Sequence, residues 1–249
     1  DNETCLSALS MTTMTHPEYM GKGIFNILAK ELYNNIASTH NVKYVWGFPN
    51  SNSHYGFIKN LAWVDVKEIP SFSIRTDKVK KCETENIIKV DAFSKKHEEA
   101  LMKSTQAYHV RVNRSLAYLN WRYIDNPSFD YDIWEMNSEN GVAFMVTKVF
   151  ESFDEPGAFE IDILECAVPA DASMILSFLN KIIASVDKPI IKINMWLPLH
   201  DEKHIHFEKV GFVPGGHITY SGARLLMGDN DIWSNANNWY YSFSDSDIY

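Results

Sequence analysis

Positive charge is scarce in this sequence. Its 23 Lys and Arg face 32 Asp and Glu, for a net charge of −9, and its densest basic cluster, Lys78 to Lys81, is interrupted by Val79. Such a balance repels polyanions, so no nucleic-acid partner is expected. Cysteine is sparse too. The three thiols, Cys5, Cys82 and Cys166, are odd in number and far apart, which gives neither a disulfide framework nor the spacing of a zinc site; a reducing cytoplasm is the expected home and no metal is expected. Long apolar runs are also missing. Ile190 to Leu199 is broken by Lys192 and Asn194 well before the ~18 to 20 residues that a membrane span needs, and Asp1 to Thr4 lack the basic start and apolar centre of a signal peptide.

What remains is the composition of a folded protein. With 249 residues, 45% of them hydrophobic and 22% charged, the chain can bury a substantial core, and its length falls between one large domain and two small ones. Cys5 to Met14 reads as a strand that stops at Thr15-His16-Pro17, because proline cannot continue a ladder. A helix follows from Gly23, with Ile24, Ile27, Leu28, Leu32 and Ile36 forming one apolar stripe expected to pack on a sheet. Lys43 to Phe48 is a second strand, Ser51 to Leu61 a second helix, and a strand runs on from Trp63 toward Ile74. Asp77 to Glu85 has the polar, Lys-rich look of a linker.

The second half repeats this order after an insertion. Helices are expected over Lys95 to Ser104 and Ser115 to Tyr123, then strands over Tyr131 to Glu135, Ala143 to Phe150 and Phe159 to Val168, with turns at Asn140-Gly141 and Asp154 to Gly157. A helix over Ser173 to Val186, capped by Asp171, leads to a strand at Ile190 to Met195 and a helix at Glu202 to Val210. Leu61-Ala62-Trp63-Val64 and Val210-Gly211-Phe212-Val213 close the last helix of each half in the same way. The sequence therefore reads as a duplication, with domains at 1–80 and 86–249. His200, His204 and His206 have no glutamate at ligand spacing and read as a solvated helix face. Asp245-Ser246-Asp247 reads as a frayed acidic tail, the alternative being a place beside an acceptor amine.

One segment carries chemistry. Thr15 to Phe25 joins a strand to a helix through Gly21 and Gly23, and such a turn lets the backbone approach an anion while the unpaired amides of the helix start point at it. The backbone of Met20, Gly21, Lys22, Gly23 and Ile24 fits a diphosphate, with Lys22 adding positive charge. In the second half Val168 to Ser173 occupies this place without a glycine and with the Asp171 carboxylate, which disfavours a diphosphate.

On these residues the chain resembles the GCN5-related N-acetyltransferase (GNAT) superfamily, whose signature is Arg/Gln, two variable residues, Gly, one variable residue, then Gly or Ala. Gly23 matches the central glycine, while Met20 stands for the usual Arg and Phe25 for the final small residue. Gly47-Phe48-Pro49-Asn50, Asn52-Ser53 and Lys59 to Trp63 are similar to the family's second coenzyme A segment and its closing motif. The resemblance implies an α/β (α+β) fold of tandem mixed sheets flanked by helices. It also implies an N-terminally incomplete first copy, with acetyl-CoA as acyl donor and a small-molecule amine, an amino sugar among the candidates, as acceptor.

Within that resemblance Thr13, Met14 and Thr15 would splay from the neighbouring strand and offer amides to the pantetheine and the thioester carbonyl; the alternative is an ordinary paired strand. Asn50 and Asn52 either hydrogen-bond the pantetheine or cap the following helix. The family's thiolate-protonating Tyr position is held by Ile58 and Phe207, so Tyr55, about one turn earlier, is the candidate acid, against a half-buried packing role. His16 and His54 are candidate bases because imidazole titrates near neutrality, against surface or capping roles. Asn120-Trp121-Arg122-Tyr123 looks like a feature of two-copy members and is expected to pack through its aromatic residues, with Arg122 an alternative partner for a substrate anion. Two further readings stay open. One is a tandem-fold aminoacyl or acyl ligase, against which Gly21-Lys22-Gly23 argues, and the other is a degenerate binding module, which Met20, Phe25 and Ile58 favour.

Overall fold

The computed structural model describes residues 4–84, 86–138, 141–229 and 231–246. The opening Asp1 to Glu3, the linker end Glu85, the turn residue Asn140 and the tail residue Asp247 lie outside the described residues. Among the described residues there are nine strands, β1 (Ser7–Ser10), β2 (Tyr44–Gly47), β3 (Val64–Arg75), β4 (Ile88–Val90), β5 (Asp132–Ser138), β6 (Gly141–Glu151), β7 (Phe159–Ala167), β8 (Ile190–Met195) and β9 (Val213–Leu225). Six helices accompany them, α1 (Ile24–His40), α2 (Ser51–Leu61), α3 (Lys95–Ser104), α4 (Leu116–Leu119), α5 (Ala172–Ser185) and α6 (His204–Val210). The described helices include none long and apolar enough to cross a membrane.

Contacts divide the chain into two compact units. The first takes the chain through Ile69 together with His217–Trp239 and Ser246, and the second takes Pro70–Gly216 and Tyr240–Asp245. In the first unit β1 lies parallel to β2, with Ser7 opposite Tyr44 and Ser10 opposite Gly47. β2 is antiparallel to β9 over Tyr44–Gly47 and Gly222–Leu225. In the second unit β8 is antiparallel to β3 over Phe72–Arg75 and parallel to β7, while β6, β5 and β4 continue antiparallel beyond β7. Parallel neighbours need a crossover. Each unit supplies one, β1-α1-β2 in the first and β7-α5-β8 in the second. Each crossover is followed by a helix, α2 in the first unit and α6 in the second.

In each unit that helix ends with a left-handed residue, Ala62 at φ 54° and Gly211 at φ 118°. A Cβ at Gly211 would stand 3.1 Å from the Ile74 side chain, so glycine serves there for space as well as for conformation. Each unit has its own core. In the first, Ala29, Tyr33, Val45, Phe57, Leu61 and Trp63 pack together. In the second, α5 and α6 lay Ile175, Phe178, Ile182 and Phe207 over Ile161, Ile163 and Ile193 of the sheet.

Several sequence expectations are corrected. The first strand stops at Ser10 rather than Met14, and Thr12 takes a positive φ of 38°. Ile27, Leu28 and Leu32 of the expected α1 stripe are exposed, and the face that packs inward carries Phe25, Ala29, Tyr33 and Ile36. The helix expected to reach Tyr123 gives way to a wider π-type turn over Asn120–Ile124. There Tyr123 is buried, but Trp121 is 65% exposed, its ring tilted against Tyr118 at 5.8 Å. His204 is not solvated; it is buried and stacked on Phe72 at 4.4 Å. Asp245 is no frayed tail, being buried and paired with Arg114 at 2.7 Å.

Candidate functional site

The turn before α1 is built by local bonds. Pro17–Tyr19 forms a single 3-10 turn, in which the Tyr19 N–H donates to the His16 carbonyl at 2.9 Å and the Met20 N–H to the Pro17 carbonyl at 3.2 Å. The next residues cannot follow in a right-handed path, because Gly21 and Gly23 take φ of 73° and 71°. A side chain at either would meet nothing within 4 Å, so these glycines serve conformation and leave an open surface above the backbone. Gly23 is the N-cap of α1 and offers no capping side chain. The first acceptor used in the helix is the Gly23 carbonyl, which takes the Ile27 N–H at 3.1 Å. Among the described residues, the N–H groups from Gly21 to Asn26 find no acceptor.

Six unpaired amides at a helix start, three of them on exposed residues, amount to a partial positive charge, and the macrodipole adds to it. Of the turn residues expected to share this work, Met20 has its amide committed to Pro17. Lys22 is exposed, with Nζ 4.7 Å from the Tyr19 ring centre. His16 caps its own turn, with Nδ1 accepting the Glu18 N–H at 3.3 Å and its ring edge-on to Tyr19 at 5.8 Å.

Beside the turn lies a cavity of about 590 Å³ between residues 9–16 and α1. Thr13, Met14, Thr15, His16 and Ile24 all line it, as does the buried Tyr33, whose phenol burial pushes up. The strand segment reaches this cavity because its ladder ends early. At the last pair a Cβ on Gly47 would stand 2.7 Å from the Ser10 carbonyl oxygen, and beyond it residues 11–16 leave β2.

The remaining sequence candidates stand elsewhere in the unit. Asn50 caps α2, its Oδ1 accepting the Asn52 and Ser53 N–H groups at 3.0 Å each. Asn52 contributes its amide to that cap, and its side chain is exposed. Tyr55 is 70% exposed, which removes the half-buried packing role. His54 donates or accepts through Nε2 at Asp65 Oδ1 and stacks on Tyr220 at 4.1 Å and 18°. None of these four lines the cavity. Sequence reasoning missed Asp65, Tyr220 and Tyr33. Asp65 and Tyr220 reach His54 only through the pairing of distant strands, whereas Tyr33 was legible as the fourth residue beyond Ala29 on one helix face.

In the second unit Asp171 caps α5, its Oδ1 accepting the Ser173 N–H at 2.8 Å. The Ser173 hydroxyl and N–H hold this carboxyl below its ordinary range. An anion at this helix start would meet a carboxylate in place of free amides.

No family model matches the chain, and no curated protein matches it. Solved structures do. An Enterococcus faecalis V583 protein named a probable N-acyltransferase superposes at TM-score 0.60 and 17% identity, over 86% of this chain and 53% of that one; the chain thus spans about half the length of that neighbour. A tandem GNAT protein from the clavulanic acid biosynthesis pathway matches at TM-score 0.54 and 9% identity, over 91% of this chain and 77% of that one. A GCN5-related glucosamine N-acetyltransferase region of a fungal multi-domain β-N-acetylglucosaminidase matches at TM-score 0.50 and 13% identity, over 87% of this chain and 29% of that one. The fold is that of the GCN5-related N-acetyltransferases, with mixed sheets flanked by helices.

Proposed function

We propose that this chain, with its GNAT fold, is an acetyl-CoA-dependent N-acetyltransferase acting on the amine of a small molecule. The observation that carries the reading is the run of unpaired amides from Gly21 to Asn26 over two left-handed glycines, a cradle whose charge and openness suit the diphosphate of coenzyme A. The copies are proposed to be 1–80 and 86–249, with only the first holding the donor. An amino sugar is the proposed acceptor class, on the strength of the glucosamine N-acetyltransferase region among the similar structures.

Acetyl transfer to an amine removes a proton from the acceptor ammonium, forms the C–N bond at the thioester carbonyl, breaks the C–S bond and delivers a proton to the thiolate. Residues 13–15, having left β2, are proposed to hold the thioester end with backbone groups. His16 accepts at Nδ1, so its neutral ring carries the proton on Nε2, which suits it to donate toward a carbonyl oxygen or thiolate rather than to act as base. His54 has the opposite arrangement. With Nε2 engaged by the Asp65 carboxylate, its Nδ1 lone pair is the free one, and it is the proposed base. Tyr55 is exposed and remains the proposed alternative acid. The degenerate-module reading is favoured by one observation: Phe25, in place of a small residue, turns inward to pack on Phe57 at 5.4 Å.

Thermal melting with acetyl-CoA tests the proposal. At a hundred times its dissociation constant a bound donor stabilises by about 2.7 kcal/mol, and Gly23→Asp should abolish the shift by placing a carboxylate over the amides. Asp171→Asn should leave it intact. No shift at millimolar acetyl-CoA would reject the assignment in favour of the degenerate module.

A further inference from the structure

The parallel strands of the second unit open into a fork that the protein's own chain fills. β7 and β8 pair from Phe159 and Ile190 up to Ile163 and Met195. There β8 ends, while β7 continues to Ala167. The first unit opens in the same way beyond Ser10 and Gly47, beside the open turn. The second fork has an occupant from its own chain. Phe243 lies 5.0 Å ring to ring from Trp196, the first residue past β8, and the Ser244 hydroxyl donates to Glu165 Oε1 at 2.7 Å, two residues past the last paired position of β7. One short segment therefore touches both branches.

We propose that Tyr240–Asp245 is an internal plug, which closes the strand fork of the second unit against any ligand and restricts the chain to a single acyl-donor site. The closure rests on the geometry of the second unit, and that it leaves a single acyl-donor site rests on the function proposed above. A clasp holds the plug. The Arg114 guanidinium donates from Nη2 to Asp245 Oδ2 at 2.7 Å, to Ser244 Oγ at 2.9 Å and to Ser242 Oγ at 3.1 Å. From Nε it donates to Glu165 Oε1 at 2.7 Å, which ties the plug to β7. Asp245 Oδ2 also accepts the Ser242 N–H at 2.9 Å, folding the segment on itself. At the other end the Tyr240 N–H donates to the Val110 carbonyl at 2.9 Å. Arg114, Glu165 and Asp245 are each at most 5% exposed, and charged groups that deeply buried persist only when held by one another. Glu165 Oε2 and Asp245 Oδ1 are left without a donor, a cost of the kind a fold bears where a segment must be fixed in place.

The fork carries its own reporter. Cys166 is buried on β7 three residues beyond its last pair with β8, where the fork is open and only β6 still pairs with β7. In protein carrying Cys5→Ser and Cys82→Ser, maleimide labelling of Cys166 should be no faster than global unfolding. Adding Phe243→Ala with Asp245→Asn should raise the labelling rate at least tenfold while hydrogen-exchange protection of α5 stays unchanged, which is the signature of a fork opened in a folded unit. Should the double variant lose α5 protection along with the fork, the milder Ser244→Ala is measured in its place with the same two readouts. The proposal is overturned if labelling is already fast with the native segment, if it stays slow in a folded variant, or if fork and α5 loosen together in both variants.

Discussion

Asp162 shows how a single side chain sets a pH dependence. It is almost fully buried on β7, where Asn194 Nδ2 donates to its Oδ1 at 3.2 Å. Burial pushes the carboxyl from 3.8 up to about 7; the Asn194 bond, Lys148 and Lys192 pull it down, and Glu160 adds to the rise. A carboxyl raised on folding stabilises the folded state fully below its unfolded value and loses that contribution as the pH climbs through the folded one. The window therefore runs from about pH 4 to pH 7, and a shift of this size corresponds to roughly 4 kcal/mol at most. Glu160 and Glu135 are depressed and act in the opposite direction, losing their contribution as the pH falls, so the difference between variants is the clean readout. Urea unfolding of the native protein and of Asp162→Asn should diverge between about pH 4 and pH 7, with the variant gaining. Parallel profiles would reject the titration of Asp162. At this scale the sequence was legible where a residue type dictates backbone shape, as at Gly21 and Gly23. It left Asn50 open between ligand and cap, and the structure shows the cap. The link from His54 to Asp65 could not be read, because strand placement and not spacing creates it.

Among the elements, α1 shows what periodicity can and cannot decide. Its apolar residues fall on both sides of the helix, so a stripe through Ile27, Leu28 and Leu32 and a stripe through Phe25, Ala29 and Tyr33 fit the same 3.6-residue period. The choice came from the aromatic pair Phe57 and Trp63, 4.5 Å apart, against which the second stripe packs. Two substitutions separate the faces. Tyr33→Ala empties a buried site and should cost about 3 kcal/mol, while Leu32→Ala removes a side chain that is more than half exposed and should cost under about 0.5 kcal/mol. Denaturant midpoints at constant m-value check both, and the reverse order would restore the stripe read from the sequence. α2 and α3 were read to the residue, and the structure starts them at the caps Asn50 and Ser94, the latter in a capping box with His97. The helix expected through Tyr123 was not, since its wider turn puts Tyr123 against Glu165, 42 residues along the chain, and Arg122 against Tyr131, nine residues along it.

For the molecule as a whole the matched helix endings were legible, at Ala62 and Gly211, but the strand order was not. The pairing of β9 with β2 joins residues about 180 positions apart, and no local pattern encodes such a contact. Charge was legible from composition, and it makes a last prediction. A protein of net charge −9 repels an acyl-CoA at long range, whereas the amides of residues 21–26 attract its diphosphate only at contact. Salt shortens the Debye length from about 30 Å at 0.01 M to about 8 Å at 0.15 M, which screens the repulsion over the approach path and leaves the contact interactions largely intact. On the proposed function, the association rate of acetyl-CoA should therefore rise with ionic strength across that range, on the order of threefold. Stopped-flow tryptophan quenching would follow it. A rate that falls with salt would mean that Lys22 and its surroundings steer the donor in spite of the overall charge, and that the anion site is built on side-chain cations and not on the backbone of the turn.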